Sequence, residues 1–173
     1  MAMKELEFEI FGLKYKTKQF SAIEGLSILD SLATIHPVIL LRQSQIYLDG
    51  EWLDLNYQNI NDLVKDFSNA ISPRLALKVV CAHVNDFNFG FLDSWKMIQV
   101  PARFLSNAST VKAEGIEPII STLVQEGVAS IRELEEYYSL EDAYRMFDII
   151  MSKSVNNLLG QEAAEREAKR SRQ

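Results

Sequence analysis

The sequence predicts a mostly helical α+β protein: an N-terminal β-hairpin and a second short hairpin packed on about six helices. Three observations predict it. Two short runs of alternating character flank turn residues near the N-terminus. Apolar residues recur at helical spacing through most of the remaining chain. Serine-led capping patterns punctuate the C-terminal third.

In the first hairpin, Leu6, Phe8 and Ile10 alternate with Glu5, Glu7 and Glu9, and Tyr15 and Thr17 alternate with Lys14, Lys16 and Lys18. Gly12-Leu13 reads as a type II′ turn, with glycine at the first central position. That register sets Ile10 opposite Tyr15, Phe8 opposite Thr17, Glu9 opposite Lys16 and Glu7 opposite Lys18. Each charged pair contributes about 0.2–1 kcal/mol.

Ser21-Ala22-Ile23-Glu24 reads as a capping box opening a helix. Its apolar stripe is Ala22, Leu26, Leu29 and Leu32/Ala33, and His36-Pro37 ends it. Val38-Ile39-Leu40-Leu41 fits either a strand or a buried helical turn. Gln45 to Leu48, Asp49-Gly50 and Glu51 to Leu55 form the second hairpin. Its type I′ turn pairs Tyr47 with Trp52 and Ile46 with Leu53.

Asn59 is the expected cap of a helix presenting Ile60, Leu63, Val64, Phe67 and Ile71. Ser72-Pro73 restarts the chain, with proline at the first helical position. Residues 74–86 are apolar nearly all round, the pattern of a central buried helix. Residues 87–111 resist assignment. Ile116 to Gln125 is a helical segment ending at Gly127. Ser130 with Glu133, and Ser139 with Asp142, are two more capping boxes. The last helix carries Leu140, Ala143, Phe147, Ile150, Met151, Val155 and Leu158 on one face. Residues 1–160 are expected to form a single domain. Residues 161–173 then form a charged helical extension or a flexible tail.

The 173 residues are 47% hydrophobic and 24% charged, enough for one cored domain. The net charge is −6, and the pI is about 5.0. This balance argues against nucleic acid and against an anionic membrane surface as partners. No apolar run is long enough to span a membrane, and the first residues do not read as a signal peptide. The single cysteine, Cys81, lies in Val79-Val80-Cys81-Ala82 and reads as a small buried residue.

No catalytic, cofactor-binding or metal-binding set emerges, so an enzyme is not expected. The glycines stand singly at turns, without a phosphate loop. His36 precedes a proline. His83, beside Cys81, is either a base or ligand paired with Asp86 or a histidine at the core edge. Glu133-Leu134-Glu135-Glu136 reads as a solvated acidic face rather than an acid–base pair. The stretch Phe87, Phe89, Phe91, Trp95 and Phe104 holds five aromatic rings in 18 residues. It either completes the core or forms a surface that receives a partner. The C-terminal stripe shares that ambiguity. The candidate partner-binding residues are therefore Phe87, Phe89, Phe91, Trp95, Phe104, Phe147 and Met151.

Lys16-Thr17-Lys18-Gln19-Phe20, followed by Ser21-Ala22-Ile23-Glu24-Gly25-Leu26, resembles the bacteriophage tail assembly chaperones. So does the block Tyr137-Tyr138-Ser139-Leu140-Glu141-Asp142-Ala143-Tyr144-Arg145-Met146-Phe147-Asp148, which leads through a helix into a charged tail. The resemblance covers both ends of the chain and leaves the middle unmatched. It implies a small helical protein in the host bacterial cytoplasm. Such a protein keeps the tape measure protein soluble and helps the tail-tube protein polymerise around it. Many members have a frameshifted longer form, and the family has no catalytic residues. A homo-oligomer is compatible with this reading. The alternative is a structural virion component: a baseplate, hub or tail-completion protein. A third is an enzyme or ligand-binding domain with polar groups converging near His83 or Glu135.

Overall fold

A computed structural model describes residues 3–31, 35–68, 70–105 and 114–171. It is α+β and mostly helical. Strands β1 (Glu5–Ile10) and β2 (Leu13–Lys18) form the first hairpin. Its turn is Phe11-Gly12, with φ of 53° and 76°, not Gly12-Leu13. Two left-handed central residues make it type I′, not type II′.

The register therefore moves by two residues from the expected one. Phe8 faces Tyr15, Ile10 faces Leu13, and the charged pairs become Glu5–Lys18, Glu7–Lys16 and Glu9–Lys14. An even shift leaves every side chain on its expected face, so the charge alternation is satisfied either way. Packing selects between the two. The rings of Phe8 and Tyr15 stack at 5.4 Å, and Leu13 enters the core. A left-handed Phe11 costs about 1–2 kcal/mol. That strain is held by the Phe67 N–H, which donates to the Phe11 carbonyl at 3.1 Å.

Strands β3 (Ser44–Leu48) and β4 (Glu51–Asp54) form the second hairpin in the expected register, with Tyr47 opposite Trp52 and Ile46 opposite Leu53. Asp49 and Gly50 take φ of 51° and 93°, as a type I′ turn requires. β2 also pairs with β3, joining both hairpins into one antiparallel sheet of order β1-β2-β3-β4. Tyr15 and Ile46 lie on the inner face, 1% and 0% exposed. The Ser44 hydroxyl donates to Thr17 Oγ1 at 2.9 Å between the two central strands. The outer face carries the Glu–Lys pairs, and Lys16 sits 4.8 Å above the Trp52 ring.

Helix α1 (Ala22–Ser31) comes directly after β2 in the chain. Ser21 Oγ accepts the Glu24 N–H, but the Glu24 carboxylate pairs with Arg42 instead of closing the expected box. Leu32 and Ala33 of the expected stripe lie outside the described residues. The undecided run 38–41 belongs to a helical turn, α2 (Pro37–Leu40), whose first turn is capped by His36 Nδ1.

Two helix expectations need correction. The helix expected from Asn59 to Ile71 is a single turn, α3 (Ile60–Leu63). Asn59 does not cap it; its side chain ties down Asn56 and Asp54 instead. Beyond Val64 the Asp66 carboxylate collects the backbone N–H groups of Ser68, Ala70 and Ile71. That local competition replaces helical hydrogen bonds, and it leaves Phe67 75% exposed. The second case is α4 (Pro73–Phe89), capped by Ser72 as expected. It is two-faced rather than buried all round. Ala76, Val80, Val84 and Asn88 line its buried face, while Leu75 and Val79 are exposed.

After two 3-10 turns, Gly90–Asp93 and Ala102–Phe104, come α5 (Pro118–Gln125), α6 (Ile131–Glu136) and α7 (Leu140–Arg170). Both expected capping boxes, at Ser130 and Ser139, are closed in both directions. α7 runs through Gly160 to Arg170 as one helix, about 46 Å long at 1.5 Å per residue. Among the described residues, one core cluster reaches from Leu13 to Ile150. It joins the inner sheet face to the helices.

Candidate partner-binding surface

The aromatic stretch is positioned by the end of α4 and the turn after it. Phe89 is 5% exposed and lies 6.1 Å from Phe20. It is core, so its place among the candidate binding residues is corrected. It belongs to the end of α4 that faces inward through Asn88, whose side chain accepts the Phe20 N–H at 2.9 Å. Phe91 and Trp95 meet the Tyr144 ring edge-on at 5.4 and 4.6 Å. Trp95 Nε1 donates to Asp148 Oδ2 at 2.7 Å.

Phe87, Phe104, Phe147 and Met151 are all half-buried. Phe104 lies under the Arg103 guanidinium, which also pairs with Glu162 at 3.0 Å. From Asp148 to Glu162 helix α7 rises about 21 Å. Trp95 and Arg103 reach anchors at these two places on α7 through their side chains, so the segment between them is tied to the helix at both ends. Residues 91–103 thus form a strap on α7, with Phe91 and Trp95 against Tyr144 and Arg103 on Glu162, while Phe104 lies under Arg103. The most exposed apolar side chains there are Met97, Leu105 and Ile149, at 59%, 63% and 70%.

A second surface includes Glu135, named from the sequence as a possible centre of converging polar groups, but its other lining residues were not singled out. A cleft of about 420 Å³ opens between α1, α6 and the start of α5. Leu26 and Ile120 form its buried floor. Ile23, Ile116 and Ile131 form its walls, the last two 41% and 44% exposed. Asp30, Glu117 and Glu135 stand on its rim. None of these carboxylates has a hydrogen bond or ion pair among the described residues. Beneath them the Tyr144 hydroxyl is pushed above its usual pKa, first by burial and then by the charges of Asp30 and Glu117. The sequence does carry one further signal for this site. Ile23, Leu26, Ser27 and Asp30 share a helical face beside the stripe assigned to the core.

The remaining polar candidates have structural occupations. His83 is exposed with its ring 4.5 Å from Phe8, and His36 caps α2. Burial pushes the Cys81 thiol up to about 11, which keeps it protonated and a poor nucleophile at neutral pH. The Glu133 carboxyl is held below its usual range by the backbone N–H and hydroxyl of Ser130, as the cap of α6. Glu136 pairs with Arg132 at 3.1 Å. Among the described residues, no three His, Cys, Asp or Glu side chains stand together as a metal site would require. None of the helices described is long and apolar enough to cross a membrane. Comparison with protein-family models, with curated proteins and with solved structures finds no match to this chain.

Proposed function

We propose that this protein is a bacteriophage tail assembly chaperone. It acts in the host bacterial cytoplasm by binding the tape measure protein, and it assists assembly of the tail-tube protein without catalysis. The observation that carries this reading is the meeting of the two segments that resemble that family. They are separated by more than a hundred residues of sequence, yet they share one junction. Ser21 and Ser139 form a β-bridge, and the Ala22 N–H donates to the Tyr138 carbonyl at 2.8 Å. A Cβ on Gly25 would lie 3.0 Å from Leu140 Cβ, and Lys4 pairs with Glu141 at 3.1 Å. The resembling segments therefore make one packed unit, with an apolar cleft beside it. A holdase needs such a surface to cover the apolar face of a helical client.

Co-expression tests the reading. A tape measure fragment that is insoluble alone should become soluble with this protein and co-purify with it. Mass spectrometry of purified virions should find the protein scarce or absent. A fragment that stays insoluble overturns the proposal. Stoichiometric protein in the virion assigns it instead to a structural component of the tail.

A further inference from the structure

From the composition of the α1–α5–α6 cleft, we infer that it docks an amphipathic helix of another protein, with an apolar ridge flanked by lysine or arginine. The inference rests on the protein-binding reading above and names the chemistry of the partner. Two independent features point to this occupant. The floor and walls are aliphatic: Ile23, Leu26, Ile116, Ile120 and Ile131. An apolar ridge at i, i+3, i+4 and i+7 spacing buries itself on such a surface. The rim, by contrast, is acidic in all its described charged members, with Asp30 from α1, Glu117 from the cap of α5 and Glu135 from α6.

The geometry of the rim selects among cations. Among the described residues, the three carboxylates do not gather around one point where a metal ion would sit. They come from three separate elements around the apolar floor. That distribution matches cationic side chains spaced along a helix, whose long stems also cover apolar surface. The other carboxylates near this end are already engaged: Glu24 with Arg42, Glu133 in its cap and Glu136 with Arg132. Among the described residues no cation engages the rim groups, which remain to pair with charges brought by a partner. Anionic ligands, nucleic acid included, meet like charge at every side of the cleft.

The test uses the full chain and a fluorescein-labelled helical peptide with leucine at i, i+3, i+4 and i+7 and lysine on both flanks. Anisotropy titration should show binding that weakens with added salt. A second peptide carrying glutamate in place of lysine should not bind. The triple variant Asp30→Asn, Glu117→Gln, Glu135→Gln should weaken the lysine peptide by about tenfold or more. A control with the same net charge, Glu51→Gln, Glu165→Gln, Glu167→Gln, should stay within about twofold of the parent. Ile131→Ser should weaken binding while the circular dichroism spectrum is unchanged.

Equal loss in both triple variants, equal binding of the two peptides, or no binding overturns the inference. So does a dimer of this chain that dissociates on Ile131→Ser, because the cleft would then belong to a second copy. If the rim triple variant still solubilises a tape measure fragment fully, the cleft assignment fails and the chaperone reading stands. If the peptide binds as expected but no fragment is rescued, the chaperone reading fails and the cleft stands.

Discussion

At the Ser21–Ser139 junction the chain is fastened through its backbone: the Ala22 N–H reaches Tyr138, and the Gln19 N–H reaches the Lys4 carbonyl at 2.9 Å. Along residues 90–105, among the described residues, backbone hydrogen bonds close only local turns. Contact with α7 there runs through side chains, chiefly Trp95 to Asp148 and Arg103 to Glu162. Both regions are rich in large apolar residues, so composition does not separate them. The difference is that a backbone-tied junction shares its hydrogen bonds with the fold as a whole. A strap held by side chains can open while the rest stays folded.

The largest test removes a side chain from the junction. Phe20 is 1% exposed and packs on Phe89, so Phe20→Ala should cost about 3–5 kcal/mol in urea unfolding. A loss as small as a surface substitution would break the comparison. Next is the strap. Trp95→Phe keeps most of the ring but removes the N–H that donates to Asp148 Oδ2. Leaving that carboxylate oxygen without its donor should cost about 1–3 kcal/mol. Hydrogen exchange should show faster opening across residues 91–105 than at β2.

Smaller is the loss of a cap. Ser139→Ala removes the acceptor of the Asp142 N–H at the junction and should cost about 1 kcal/mol. Acid provides the fourth test. Burial raises the Glu141 carboxyl, but the hydrogen bond and charge of Lys4, with the charge of Arg145, outweigh burial and hold it below its usual value of 4.5. Its folded pKa is thus depressed. The stabilisation it gives is present above 4.5 and is lost as the pH falls through the folded value. The urea midpoint of the parent should therefore drop more between pH 5 and pH 3 than that of Lys4→Met. The smallest effect is expected from Arg103→Ala, which cuts an exposed ion pair. The urea midpoint should not move, while amide exchange in residues 160–170 should quicken. A shifted midpoint would mean that the end of α7 is part of the cooperative core.

Legibility tracked the range of the interactions. The Asp49-Gly50 turn and the capping boxes at Ser130 and Ser139 could be read because each signal lies within a few residues of what it controls. The first hairpin shows the limit. Its faces and charge alternation were legible, but two registers are compatible with them, and the observed one adds a third Glu–Lys pair and the Phe8–Tyr15 stack. The expected helix to Ile71 failed because Asp66 offers the backbone a competing acceptor. Of the candidate binding residues, Phe89 is core, and six are half-buried. Of the cleft only Glu135 was named in advance, because the walls come from segments far apart in sequence.

The sequence by itself determined the α+β class, the two hairpins, the capped starts of α4, α6 and α7, and the acidic surface. Period, turn chemistry and charge are properties of neighbouring residues. Only the tertiary structure decided which apolar residues are core, that the two hairpins form one sheet, and that Asp30, Glu117 and Glu135 ring one aliphatic cleft. Burial depends on what the rest of the chain brings to each face, and no local pattern carries that information.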